Sequence, residues 1–166
     1  MHATALKLIG FVVMLTMAGT ALATDSGAPD QVTVWEAEKG TIFNAANVEL
    51  DAFKWRARPI VIFADSENDP AFQRQIELLN ARLDELVERD VVLIVDTDPA
   101  ARTAIRTKLR PRGFMLTLIG KDGGVKLRKP FPWDVRELTR QIDKMPIRRQ
   151  EIIDAKAAAA EAAAVE

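Results

Sequence analysis

Two uninterrupted apolar runs constrain this chain most. Pro59–Ala64 (PIVIFA) and Val91–Val95 (VVLIV) are rich in β-branched residues and show no polar alternation. A strand with one wet face alternates. These runs instead fit strands covered on both faces, as in a sheet with helices above and below. Pro59 opens the first run, where a missing N–H does no harm. Each run passes into acidic turn chemistry and then a proline. Asp65–Pro70 reads DSENDP, with Asp69 as helix N-cap; Asp96–Pro99 reads DTDP, with Asp98 in the same role.

The remaining pattern completes an α/β unit. Ala71–Arg89 predicts one long helix, with Phe72, Ile76, Leu79, Leu83, Leu86 and Val87 at helical spacing. Ala100–Leu109 predicts a shorter helix that stops before Pro111. Phe114–Ile119 reads as a third strand. Lys121–Gly124 contains Asp-Gly, a strong hairpin signal, and Val125–Lys129 returns as a fourth strand. Pro132–Asp134 opens a last helix with Val135, Leu138, Ile142 and Met145 on one face. The order β-α-β-α-β-β-α predicts a central mixed sheet of four to five strands with helices on both faces. Before this core, Thr24–Gln31 reads as a flexible lead-in, Val32–Val34 as a short edge strand, and Asn47–Phe53 as helical turns capped by Asn47. Trp55, Phe131 and Trp133 are read as core residues. Residues 150–166 form an Ala-rich tail with high helix propensity and little to bury.

The N-terminus carries an export pattern. Lys7 precedes the apolar stretch Leu8–Leu15, and Ala21-Leu22-Ala23 is a small-residue cleavage site. The expectation is a signal peptide over 1–23, a lead-in over 24–49, and a periplasmic or secreted mature form with no membrane anchor. Cleavage near Ala23 removes His2, the single histidine; the chain has no Cys and no Tyr. Disulfides, thiol redox chemistry, Ser-His-Asp triads and His- or Cys-ligated zinc are thereby excluded from the mature chain.

Several segments, in order, resemble one bacterial family: RPIVIFADSENDP, DVVLIVDTDPAAR, LRPRGFMLTLIGKDGGVKLRKPFPW and DVRELTRQIDKMP. They are similar to the thioredoxin-like DUF4174 proteins, over a domain taken as 50–149. Related domains occur in animal extracellular proteins beside sushi repeats. The resemblance implies a thioredoxin-like fold and an exported setting, but no reaction. Redox members of the wider fold carry C-x-x-C at the turn that opens the first helix, where the helix start favours a thiolate. Here that turn is Asp65–Pro70, with three carboxylates and no thiol.

Two constellations are candidates for function. Asp65, Ser66, Asp69, Asp96 and Asp98, with Glu67, fall at the carboxyl ends of the first two core strands, the edge where open α/β sheets bind ligands. Such carboxylates would suit Mg²⁺ or Ca²⁺ and a metal-dependent phosphoester hydrolase. Capping by itself also accounts for Asp69 and Asp98. Asp96-Thr97-Asp98 has the D-x-D form of haloacid-dehalogenase phosphotransferases, without a later acidic pair to hold Mg²⁺. The second constellation is basic. Residues 24–99 hold 7 basic and 16 acidic side chains, whereas residues 100–166 hold 15 basic and 8 acidic. Arg110, Arg112, Lys126 and Arg128 lie in the densest basic stretch and would form an anion-binding patch. Aromatics suited to stacking bases are few, so nucleic acid is not the expected partner. The leading expectation is a non-catalytic exported module, without cofactor, that binds a protein or an anionic ligand. Mg²⁺- or Ca²⁺-dependent hydrolysis is the alternative.

Overall fold

A computed structural model describes residues 30–164 of the 166-residue chain. The expected signal segment and Thr24–Pro29 lie outside the described residues. Six helices and five strands follow in order: α1 Gln31–Ala37, β1 Ile42–Asn44, β2 Arg58–Phe63, α2 Pro70–Asn80, α3 Leu83–Val87, β3 Val91–Asp96, α4 Ala104–Leu109, β4 Met115–Ile119, β5 Val125–Lys129, α5 Val135–Asp143 and α6 Pro146–Ala163. Short 3₁₀ turns occupy Ala45–Asn47, Leu50–Phe53 and Pro99–Ala101.

The strands form one sheet in the order β1-β3-β2-β4-β5. β1, β3 and β2 are mutually parallel, with Ile42 opposite Leu93 and Ile60 opposite Leu93 on the other side. β4 runs antiparallel to β2, and β5 antiparallel to β4. This is the thioredoxin-like arrangement that the sequence predicts. Every residue of β2 is buried, as its continuous apolar pattern requires.

Two apolar layers sandwich the sheet. On one face Val61, Phe63, Val92 and Ile94 meet Trp35, Phe53, Ile105 and Leu109. On the other, Ile60, Ile62, Leu116 and Leu118 meet Leu79, Leu86, Val135, Leu138 and Ile142. Buried Gln75 staples α2 to the start of α5: its Nε2 donates to the Trp133 carbonyl (3.1 Å) and its Oε1 accepts from Trp133 N (2.7 Å).

Local chemistry sets most element ends. Asp69 accepts from Ala71 N and Phe72 N, Asp98 from Ala100 N, and Asp134 from Arg136 N. The hairpin closes through Gly120 N to the Gly124 carbonyl, and Gly123 takes φ +78°, which a side chain would resist.

Several expectations are corrected. Val32–Val34 is helical, within α1, because Val32 and Trp35 turn inward together and the Trp35 indole donates to the Val91 carbonyl (3.3 Å). The edge strand is instead β1. The helical turns near Asn47 exist, but the cap is Asn44, whose side chain accepts from Ala46 N (2.9 Å). The helix expected over 71–89 breaks at Ala81-Arg82 into α2 and α3, yet Leu79 and Leu86 enter the same layer. Periodicity is therefore blind to the break. Trp55 is 68 % exposed and Phe131 52 %, not core. Trp55 sits at φ +63° with its N–H held by the Lys121 carbonyl (2.7 Å), which leaves Phe53 to fill the interior. Trp133 is half-buried against its layer.

Candidate functional site

The crevice at the carboxyl ends of β2 and β3 is organised by a salt bridge. Asp96 is only 2 % exposed. Its Oδ1 accepts from Arg106 Nε (2.9 Å) and its Oδ2 from Thr103 Oγ1 (2.6 Å). Arg106 Nη2 also donates to the backbone carbonyls of Ala64 (2.8 Å) and Asp96 (2.9 Å). One guanidinium thus ties the ends of two adjacent strands, and Thr103 doubles as the cap of α4 through Arg106 N (3.0 Å). The remaining acids do not converge on Asp96. Asp69 and Asp98 face backbone N–H groups as caps, Ser66 Oγ accepts from Asn68 N, and Asp65 is open to solvent, 3.9 Å from Arg106 Nη1. Among the described residues no group of three or more His, Cys, Asp or Glu side chains is close enough to hold a metal ion.

The basic constellation divides. Arg128 Nη1 donates to the Leu109 carbonyl (2.5 Å), which seats the end of β5 against the segment that carries Arg110 and Arg112. Lys129 turns to the other side of β5, its Nζ 4.4 Å from the centre of the Trp133 ring and 5.9 Å from that of Phe131. Among the described residues none of Arg110, Arg112, Arg128 and Lys129 has a carboxylate within salt-bridge distance (the first three are exposed at the surface). Lys126 is excluded from this corner: it lies toward the hairpin and pairs with Asp122. Lys129, on the opposite face of β5 from Arg128, does not join the corner.

The opposite end of the sheet holds a second polar centre. Arg58, wholly buried at the start of β2, donates through Nη1 to the Arg89 carbonyl (2.8 Å) and through Nη2 to both Glu151 oxygens (3.0 Å each). Lys121 bridges Glu151 (2.7 Å) and Asp90 (2.9 Å), and Lys39 reaches Asp90 (2.6 Å). Arg148 joins Glu151, Asp143 and Glu88, and Arg89 joins Asp143 and Glu88. α6 buries no residue, so charge is what holds its first turns.

Burial works to raise the Asp90, Asp143 and Glu151 carboxyls. For Asp90 the hydrogen bonds from Lys39 and Lys121 outweigh it; for Asp143 those of Arg89 do; for Glu151 those of Lys121 and Arg58. All three are held below their ordinary values of 3.8, 3.8 and 4.5. In that range the unfolded chain binds more protons than the folded one, so stability rises with pH. The stabilisation is complete above the ordinary values. It is lost as pH falls through the lower folded ones. Urea midpoints measured from pH 7 down to pH 3 are expected to stay level and then drop below about pH 4.5, where the unfolded groups begin to protonate. A flat profile across that range would remove the network as a source of stability.

Residues 49–151 match the model of a family described as a domain of unknown function, DUF4174. The chain belongs to the DUF4174 family. The match ends on Glu151, so it takes in the residue that pairs with Arg58. A zebrafish (Danio rerio) relative, coiled-coil domain-containing protein 80, is 28 % identical over 133 residues; the match covers 62 % of this chain. The chain spans only 15 % of that protein's length. Among solved structures, reduced 2-Cys peroxiredoxin of Plasmodium vivax is 18 % identical, with 63 % of this chain and 85 % of that one covered at a TM-score of 0.49. Thioredoxin peroxidase I of Plasmodium yoelii is 17 % identical, with 62 % and 80 % covered at 0.45. The fold assignment rests on the strand order described above. Without a cysteine, this DUF4174 domain has no thiol to carry redox chemistry.

Proposed function

We propose that this DUF4174 domain is an exported, non-catalytic binding module that recognises an anionic segment of a partner at the corner formed by Arg110, Arg112 and Arg128. One observation carries the reading: these three exposed cations lie at one end of the sheet without carboxylate partners, with Arg128 bonded to the Leu109 carbonyl beside Arg110, whereas Arg58, Arg89, Arg106, Lys121 and Arg148 are committed to acids. Arginine forks match carboxylate and phosphate oxygens, and unpaired surface cations lose little in desolvation when such a group docks. The strand-end carboxylates favour no second reading, since Asp96 is already saturated by Arg106 and Thr103. The export signal expected over 1–23 would place this surface outside the cytoplasm.

Charge reversal tests the reading. The Arg110→Glu, Arg112→Glu double variant is expected to weaken binding to poly-glutamate, read by fluorescence anisotropy. The loss should be about tenfold for each charged contact removed. The melting curve should stay close to that of the parent, because neither side chain has a folded partner. Wild-type binding should also weaken as salt is raised. Equal affinity of the variant and the parent would dismiss the corner as the recognition surface.

A further inference from the structure

β5 lies at one side of the sheet, and among the described residues no strand pairs with its outer edge. Such an edge presents unpaired N–H and C=O groups that meet water or accept another strand. The edge at the other side is blunt: β1 has three residues and runs straight into a 3₁₀ turn. β5 has five, with Val125 43 % exposed and Lys126 and Arg128 also open. Three of the five are cations and none is an acid. Lys126 has no partner on β4, because the register shifts there, and it is drawn back to Asp122. Arg128 and Lys129 remain without carboxylates, on opposite faces: Arg128 on the side of Leu109 and Arg110, Lys129 on the side of Trp133.

Cations on both faces decide what the edge accepts. Two copies of β5 paired with each other would set like charges side by side, which disfavours a self-paired dimer. A guest strand that alternates acidic and apolar side chains would satisfy one face only. A run of consecutive acids satisfies both, because neighbouring side chains of a strand point to opposite faces. The exposed Val125 and Phe131 flank the cations and suit apolar residues on either side of the acids.

We infer that the outer edge of β5 takes up a contiguous acidic segment of a partner protein as an added sixth strand. This rests on the basic corner as the recognition surface and adds the conformation of what binds there. The main chain of the segment pairs with β5. One acidic side chain lies toward Arg128, Arg110 and Arg112, and the next lies toward Lys129. Main-chain pairing supplies affinity, and charge on two faces supplies selectivity.

The test is an NMR titration of the chain with the end-capped heptapeptide TVEEEVT, beside the same peptide N-methylated on its glutamates. N-methylation keeps every charge and removes main-chain donors from both edges of the peptide. The unmodified peptide is expected to slow hydrogen exchange at β5 amides severalfold and to give backbone nuclear Overhauser contacts with residues in Val125–Lys129. The N-methylated peptide should bind at least about tenfold more weakly, since several main-chain hydrogen bonds are lost. Lys129→Gln, which leaves the Arg110 side of the strand untouched, should weaken the unmodified peptide about threefold, as expected for one exposed lysine pair. Lys156→Gln, an equal charge change on exposed α6, should leave its affinity unchanged. Equal affinity of the two peptides, without protection of β5, would overturn strand addition; the corner would still stand if Arg110→Glu, Arg112→Glu lost affinity. Failure of the unmodified peptide to bind would also overturn strand addition, and poly-glutamate binding would then uphold the corner alone.

Discussion

Replacing Glu151 with alanine is expected to cost about 3 kcal/mol of stability, because it strands a buried guanidinium without its counter-charge. Arg58 is fully enclosed, and Glu151 supplies both oxygens that face Nη2. After the change Arg58 keeps only the Arg89 carbonyl, and Lys121 keeps only Asp90. A cost of this size is a large share of the stability of a domain this small. Urea unfolding followed by tryptophan fluorescence measures it. Removing both charges in Arg58→Met, Glu151→Leu should recover much of the loss, since an apolar pair need not be desolvated at a penalty. A chain truncated after Arg149 loses Glu151 as well and should show the same deficit. A variant as stable as the parent would mean that α6 is an appendage, as the Ala-rich tail suggests on paper, and not part of the folded unit.

Arg106→Leu is the second large effect, again about 3 kcal/mol or more. The change leaves Asp96 buried with Thr103 as its sole side-chain partner and takes the Nη2 donor from the carbonyls of Ala64 and Asp96, the latter keeping only Ala64 N. The strand ends of β2 and β3 should loosen together. Hydrogen exchange at Ala64, whose N–H donates to the Asp96 carbonyl (3.0 Å), reports that directly. Full protection of that amide in the variant would show that the ladder alone holds the strand ends. The same geometry bears on any assay built on Asp96→Asn. A loss of activity in that variant would follow from disrupting the Arg106–Asp96–Thr103 cluster, whatever the chemistry.

Much of the framework was legible in the sequence. β2, β3 and β5 fall within a residue of their expected bounds, since a continuous apolar run fits only a strand covered on both faces and Asp-Gly fits the tight turn before β5. Asp69, Asp98 and Asp134 cap as their positions dictate, because capping involves atoms two or three residues away. The candidate sites were legible only as residue types. Nothing local distinguishes Asp96, sealed under Arg106, from Asp98, open to water two residues later.

What the sequence by itself determined is therefore what short-range sterics and apolar periodicity control: the four core strands β2 to β5, most helices, the hairpin, and the lack of any thiol. Only the tertiary structure decided how the charges are used. Arg58 meets Glu151 across 93 positions of sequence, Arg89 meets Asp143 across 54, and Lys39 meets Asp90 across 51. It likewise placed Trp35 under the sheet and turned Trp55 outward. Ion pairing depends on distance and burial, and both are set by how remote segments dock. A linear charge count thus separates an acidic half from a basic half without showing which cations the fold neutralises and which it leaves free.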